Sequence, residues 1–343
     1  MIEARAKTGM AALCATAGSL VSERALMNVT GRTLLLPYYH TITDARLPHV
    51  CHLYQLRSKA LFVEDVEYLC KQYTPVSLRE LDDCVRGRRR IDKPLFHLSF
   101  DDGLREIHSE IAPILLRKGI PATFFINTDF VDNRAMFYRH KASVIIERMA
   151  GRAFPERELA AYLHQRDCTP EALSTLLLSL DCNAAGMIDD IARILEIDLG
   201  EYLRDQQPYL RGDQIRELLG QGFTIGSHSL SHPYFGDIGI DERKRQVRES
   251  FDYLAREFGI GAYYFSFPFS DAPADRAFMH WLHGEAQCRL SFGISGLKDD
   301  CTKFHLHRIP LERHTCSARH TIKGAYLYSI ALSLLGRASI ARQ

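Results

Sequence analysis

Residues 95–127 read LFHLSFDDGLREIHSEIAPILLRKGIPATFFIN, and this stretch decides the fold. Leu95 to Phe100 (LFHLSF) is an apolar run of strand length. Arg105 to Lys118 has helical apolar spacing and closes at Gly119, and Pro121 to Asn127 (PATFFIN) is a second strand. A strand, a helix and a strand within about 30 residues form one crossover unit. Such a unit pairs its strands in parallel with a right-handed connection.

The same rhythm extends outward in both directions. Upstream, Thr33 to Tyr39 (TLLLPYY) reads as a buried strand. Phe62 to Tyr73 is a helix with Phe62, Val66, Leu69 and Cys70 on one face, and Ser77 with Glu80 forms a capping box for the next helix. That helix ends near Gly87, where Arg86, Arg88, Arg89 and Arg90 read as a solvated basic turn rather than a phosphate-binding patch. Downstream, a helix at 213–219, a short strand at 223–226, a long helix at 241–258, a strand at 263–267 and a last strand at 304–309 continue the pattern. Repeated βα units of this kind fit a barrel or an open parallel sheet.

Residues 134–208 break the rhythm. They read as helices around 142–149, 156–164, 170–180 and 187–195, an insertion placed to act as a lid or substrate-facing wall. The expected organisation is an N-terminal helix in 1–32, a catalytic domain made of 33–133 and 209–320, the helical insertion 134–208, and a C-terminal helix and tail in 321–343.

Composition excludes several function classes. Of 343 residues, Lys and Arg number 43 against 42 Asp and Glu, so no global field draws the chain to nucleic acid. Nine cysteines without a C-x-x-C pair read as mostly buried thiols in a reducing compartment. No apolar run reaches the roughly 18 residues that a bilayer span requires. Residues 10–21 (MAALCATAGSLV) read as an amphipathic helix rather than a cleaved signal, because Glu3 and polar breaks spoil the signal pattern. The stretch 325–335 (AYLYSIALSLL) reads as a docked core helix. The expected location is cytoplasmic, with peripheral membrane contact and oligomeric state left open.

Chemistry concentrates at strand ends, where α/β folds build their sites. Asp101-Asp102-Gly103 follows the strand ending at Phe100, and nothing about packing calls for two adjacent acids, although a turn with a capping Asp would also use one. His228-Ser229-Leu230-Ser231-His232 follows the strand ending at Gly226. Histidines at i and i+4 share one face of a helical turn and can share one metal. Ser266-Phe267-Pro268-Phe269 ends a third strand. One carboxylate and two imidazoles can hold a divalent ion and leave coordination positions open. Such an ion polarises an acyl oxygen and brings the pKa of water down to about 7, and a second carboxylate alongside can serve as general base.

The run Ser-Phe-Asp-Asp-Gly (99–103) and the run His-Ser-Leu-Ser-His (228–232) resemble the first two motifs of polysaccharide deacetylases, the NodB-homology carbohydrate esterases. The intervening Gly-Ile-Pro-Ala-Thr-Phe-Phe-Ile (119–126) and Gly-Phe-Thr-Ile-Gly-Ser-His (222–228) agree with that family, over about 95–130 and 209–310. A weaker similarity, to members with a Tyr-His strand (Tyr39-His40) and a Pro-Val-Ser-Leu turn, extends it to about residue 33.

The resemblance implies a distorted (β/α) barrel with a helical insertion, acting as a metal-dependent hydrolase that removes an N-acetyl or similar acyl group from an amino sugar of a polysaccharide, lipid-linked or nucleotide-linked glycan, with surface polysaccharide biosynthesis as the expected setting. It implies Asp102, His228 and His232 as ligands of a divalent metal, zinc first, with cobalt or nickel as alternatives. Asp101 becomes the general base. Pro268-Phe269 matches the motif whose residue after proline offers a backbone N–H to the oxyanion. The general acid is expected in a Leu-x-His context, for which His307 and His305 are both candidates, His307 foremost. His40 falls at the pocket rim, and His97, within a strand, reads as a core histidine.

Two departures stand out. Ser266 occupies the place of an Arg that supports the catalytic acid, and Arg308 could supply that guanidinium from the final strand. The family's Asp near a Trp is not recognisable, since Trp281 lies in a helix-like stretch. Two other classes therefore stay open: a glycan-binding relative without turnover, and a non-haem iron oxygenase, whose triad is also two His and one carboxylate.

Overall fold

The computed structural model describes residues 21–150, 156–165, 168–312 and 316–343. Its main sheet holds eight parallel strands: β1 (Pro37–Tyr39), β2 (Leu98–Phe100), β3 (Ala122–Ile126), β4 (Thr224–Ser227), β5 (Tyr263–Ser266), β6 (Cys288–Gly293), β7 (His305–His307) and β8 (Ile309–Pro310). They lie in the order β7-β6-β5-β4-β3-β2-β1-β8. Only Arg308 separates β7 from β8, so a single run of chain carries both edges of the sheet. Its first half pairs with β6 and its second with β1. Arg308 N–H donates to Gly293 O at 3.0 Å, and Ile309 N–H donates to Leu36 O at 2.9 Å. The sheet thereby closes into the distorted (β/α) barrel.

Strand alternation sorts the side chains into two layers. Tyr39, Phe100, Phe124 and Ile225 stand in register across β1 to β4 and join one core with Phe62, Val66, Leu69, Leu115, Ile322 and Tyr326 of the covering helices. Each such side chain, fully buried, contributes about 1.5–3 kcal/mol. Leu36, Phe125, Tyr264, Leu290 and Phe292 form a second core with Leu78 and Leu81, inside the barrel. Gly226 lies beside Phe125 there, and a Cβ at this position would come within 2.5 Å of the phenyl ring. The interior layer of β3 can be aromatic because β4 offers it a glycine.

The capping box forms at Ser77 and Glu80, heading the helix Leu78–Val85. Arg86 pairs with Asp82, Arg88 with Asp83 and Arg89 with Glu80, so most of the basic turn is neutralised locally. His97 is a satisfied core residue, bonded to Val76 O at 2.8 Å and Thr123 Oγ1 at 2.9 Å, and burial pushes its pKa down to about 4. The terminal helix runs from Ala318 to Leu334 and buries Ile322, Tyr326 and Leu332. No helix among the described residues is long and apolar enough to cross a membrane. Residues 1–20 lie outside the described residues, and so does most of the helix expected at 10–21.

Several expectations need correction. The strand Cys288–Gly293 and the helix Leu199–Gln206 were not anticipated. The helix after β2 opens as a π-turn at Ile107–Ile111 before becoming α-helical at Ala112–Lys118. Of the eight cysteines described, all free, Cys288 alone is buried, so the thiols are not mostly core residues. Most of the others sit half-covered on helix and loop surfaces.

Between β3 and β4 the helices Tyr138–Met149, Glu156–His164, Leu173–Ser179, Ala185–Ile194 and Leu199–Gln206 build a core of their own. That core reaches Leu104 and Tyr209, residues just beyond β2 and just before the helix Gly212–Gly220.

Asp65 ties the first half of the barrel together. It accepts from Arg57 at 2.7 and 2.6 Å, from Tyr39 Oη–H at 3.0 Å and from Ala318 N–H at 3.0 Å. The Asp65→Asn variant removes the charge that balances a buried guanidinium. We expect it to cost about 3 kcal/mol, read as a lower denaturant midpoint at unchanged slope in urea unfolding.

Candidate metal centre and active site

Asp101, Asp102, His228, His232, His40 and Phe269 each stand at the C-terminal end of a barrel strand or in the loop that follows. Asp101 N–H still donates to Tyr39 O at 3.0 Å, which continues β2 for one more residue. The chain then turns sharply at Asp102, whose φ is 71°. His228 N–H donates to Ile126 O at 2.8 Å, extending β4 in the same way.

The two histidines do not share a helical turn. Residues 228–232 form an irregular loop with φ of 72° at Ser229 and 59° at His232. Its shape is held by short polar contacts. Gln246 Oε1 accepts from Leu230 and Ser231 N–H at 3.1 Å each, Ser229 Oγ accepts from His232 N–H at 3.1 Å, and Asn127 Nδ2 donates to His228 O. The i, i+4 spacing brings the rings together through these turns.

Their convergence is close. His232 Nε2 lies 3.1 Å from His228 Nε2 and 3.2 Å from Asp102 Oδ1, and His228 Nε2 lies 3.5 Å from the same oxygen. Three donors bonded tetrahedrally to zinc at about 2.0–2.1 Å would stand about 3.3 Å apart. Asp102 Oδ1 is buried without a hydrogen-bond partner among the described residues. His228 Nδ1 lies 2.8 Å from Ser266 O. A carbonyl can only accept, so Nδ1 carries the proton and Nε2 keeps its lone pair for the cluster. Burial, with His232 nearby, pushes the His228 pKa down to about 4 and keeps the ring neutral. Asp102, His228 and His232 therefore fit a divalent ion.

Asp101 faces a different partner. Arg308 grips its carboxylate with both ends of the guanidinium, Nη1 to Oδ1 at 2.8 Å and Nη2 to Oδ2 at 2.7 Å. The guanidinium also donates to Ser99 Oγ at 3.0 Å and Ser266 Oγ at 2.6 Å, and lies over the Tyr38 ring. Burial works against the charge on Asp101, yet Arg308, His228 and His40 hold its carboxyl below the usual range. Ser266 thus stands beside the guanidinium that Arg308 brings from the final strand.

His40 follows β1 and is the partly exposed member of the group. Its Nδ1 lies 2.5 Å from Glu312 Oε1, its backbone N–H donates to the same oxygen at 2.6 Å, and its ring stacks on Tyr54. Burial opposes protonation, but the carboxylates of Glu312, Asp102 and Asp101 outweigh it and push the pKa up to about 10. A divalent ion on Asp102 would cancel part of that support, and Glu312, which touches the ring, would supply the rest. Tyr54 Oη also reaches Asp102 Oδ2 at 3.4 Å.

The structure does not bring His305 and His307 to this group. Leu306 packs with the barrel interior and Arg308 reaches inward to Asp101, so the alternate residues, His305 and His307, face outward. His305 Nε2 meets Asp271 Oδ2 and His307 Nε2 meets Asp300 Oδ2, both at 3.2 Å. Pro268 and Phe269 do arrive at the site, and the Phe269 ring lies edge-on to His232 at 4.8 Å. From the insertion, Phe137 also packs on His232, at 4.4 Å, and meets Phe269 at 6.0 Å. The sequence reading missed Glu312, Tyr54 and Gln246. Glu312, two residues beyond β8, carried the strand-end signal that the other acids carried.

Fold and site together are those of a barrel hydrolase. The family model for polysaccharide deacetylase matches residues 88–279, more than half of the chain, and the chain belongs to that family. Deacetylation of a polysaccharide is the coarse activity that goes with it. Among solved structures, the chain is similar to a deacetylase, PplD, of Streptococcus pyogenes in complex with acetate, with 13% identity, 85% of this chain and 97% of that chain covered, and a TM-score of 0.55. It is also similar to IcaB from Ammonifex degensii, with 15% identity, 85% and 97% coverage and a TM-score of 0.53. At these identities the likeness speaks for the barrel. No curated protein matches the chain.

We expect about one zinc, cobalt or nickel ion per chain by elemental mass spectrometry of the purified protein. His228→Ala and His232→Ala should each abolish it. Bound iron, with activity that needs O₂, would favour an oxygenase instead.

Proposed function

We propose that the protein is a metal-dependent hydrolase that removes an N-acetyl group from an amino sugar of a glycan. The observation that carries this reading is the placement of two unlike carboxylates at the end of β2. Asp102 faces the imidazoles of His228 and His232, and Asp101, its neighbour, is gripped by Arg308, which holds its carboxyl below the usual range. An ion held by Asp102, His228 and His232, zinc first, supplies Lewis acidity toward the acyl oxygen and toward water.

The chain's own groups divide the proton traffic. Asp101 accepts the proton of the attacking water as the new C–O bond forms. His40 gives a proton to the sugar nitrogen as the C–N bond breaks, leaving acetate and a free amine. It suits this role better than His305 or His307, because neighbouring carboxylates push its pKa up, it is partly exposed, and its ring stacks on Tyr54, which reaches Asp102. The Phe269 N–H, which has no hydrogen-bond partner among the described residues, is available to the oxyanion. We further propose that residues 33–133 and 209–320 carry the reaction. Residues 134–208 form one wall of the cleft, a role supported by Phe137 on His232.

The test is acetate release from N-acetylated amino-sugar oligomers. Asp101→Asn and His40→Gln should each lower kcat by about 10²–10⁴-fold while metal content stays at the wild-type value. Glu312→Gln should fall between them and the wild type. Saccharide binding without acetate release by the metal-loaded wild type would instead identify a glycan-binding relative without turnover.

A further inference from the structure

The segment that follows β5 carries Phe269 onto His232 with a φ of 56°, a strained conformation for a phenylalanine. Two residues later Asp271 enters a buried polar cluster on the outer face of the barrel. Arg342 dominates this cluster. Its Nη2 meets Asp271 Oδ2 at 2.5 Å, and its Nη1 donates to Asp271 O at 3.0 Å and to Ala274 O at 2.7 Å. The same guanidinium meets Asp300, with Nη2 to Oδ2 at 2.8 Å and Nε to Oδ1 at 3.0 Å.

Asp271, Asp300, His305 and His307 place ligand-type atoms within 4.8 Å of one another, a donor set that would suit a divalent ion. The guanidinium already sits on the Oδ2 atoms of both carboxylates, so the arginine is the cation of this cluster. The two histidines complete it. His305 Nδ1 is oriented by Ser291 Oγ at 2.7 Å, and His307 Nδ1 accepts from Ser295 N–H at 3.3 Å. Arg342 is brought in by a short parallel pairing of Ser339–Ile340 with Asp299–Asp300, and Gln343 O accepts from Arg276 N–H at 3.0 Å.

We propose that Arg342 is a positioning residue: its guanidinium clamps the turn 268–274 and so holds Phe269 against His232. Three of its contacts land on that turn, two on backbone carbonyls and one on a side chain. Without the arginine the turn loses all three, and the Oδ2 atoms of the two buried carboxylates keep only the rings of His305 and His307. The catalytic part of this inference rests on the deacetylase reading; the clamp itself does not.

The experiment is hydrogen exchange of the full chain together with acetate release, for wild type, Arg342→Ala and Arg342→Lys. In Arg342→Ala, exchange in peptides covering 267–275 should rise about tenfold or more, while peptides covering 98–103 and 224–232 keep wild-type protection. kcat should fall by about 10²-fold with little change in KM. Arg342→Lys should recover part of both, and methylguanidinium added to Arg342→Ala should slow exchange in 267–275 again. Unchanged exchange in 267–275, or a loss of protection spread over the whole barrel, overturns the clamp. A loosened turn with unchanged kcat overturns the positioning role. A wild type that releases no acetate, yet loosens at this turn alone when Arg342 is removed, supports the clamp and sinks the deacetylase reading.

Discussion

The pairing of Arg308 with Asp101 is the contact on which barrel and site both turn. Arg308 is the single residue between β7 and β8, and its backbone N–H bonds to β6 just before the chain passes to β1. Its side chain meanwhile reaches Asp101, at the end of β2. Both groups are almost wholly buried, at 1% and 3% side-chain exposure. An isolated buried ion pair gains little over apolar packing of the same volume, because desolvation consumes much of the attraction. Here the guanidinium has further partners in Ser99 and Ser266 and an aromatic face in Tyr38. The result is a carboxylate fixed in place and kept ionised inside a protein, which is what a base requires and a turn residue does not.

The site then sorts charge by depth. Asp101, Asp102, His228 and His232 are buried, whereas His40 keeps part of its surface. Burial pushes the pKa of the buried His228 down to about 4, and the Ser266 carbonyl fixes its tautomer. The pKa of the rim histidine is pushed up instead, by the carboxylates of Glu312, Asp102 and Asp101. Two residues of the same type are thus shifted in opposite directions by environment alone. Tyr54 links the two halves, stacked on His40 and within reach of Asp102.

Much of this was legible in the chain. Asp101, Asp102, His228 and His232 declare themselves because adjacent acids and paired histidines at strand ends have no packing purpose. The βα rhythm around 95–127 indicates a parallel α/β sheet, and the resemblance to the deacetylase family implies its closure into a barrel. What the sequence hid has a physical explanation in each case. The strand Cys288–Gly293 (CRLSFG) mixes polar and apolar residues because both of its faces are covered, one by Leu36 and Phe125 inside the barrel and one by His305 outside. The 228–232 spacing suggests a helical turn, but left-handed residues make the rings converge. His305 and His307 flank Leu306 on a late strand, where the resemblance looks for the general acid, yet strand parity sends them outward once Arg308 is inward. That parity was available in the sequence. The role of Glu312 was less so, since one acid after a strand is ordinary until His40 is seen beside it.

Strain shows how the parts are kept in place. Among the described residues nine non-glycine residues have positive φ, and Asp102, Ser229, His232 and Phe269 are four of them. Left-handed conformations at such residues cost of order 1–3 kcal/mol each. They persist only where neighbouring groups over-determine them. Around the 228–232 loop those groups are Gln246, Asn127 and Ser229. After β5 they are the contacts that Arg342 makes with Asp271 and Ala274. None of these side chains touches the reacting centre, but each offsets part of the strain that aims a ligand or an N–H at it. On the proposed function, the side chains that hold these turns are therefore as much a condition of the chemistry as Asp102, His228 and His232, because they fix the backbone from which those groups and the Phe269 N–H are presented.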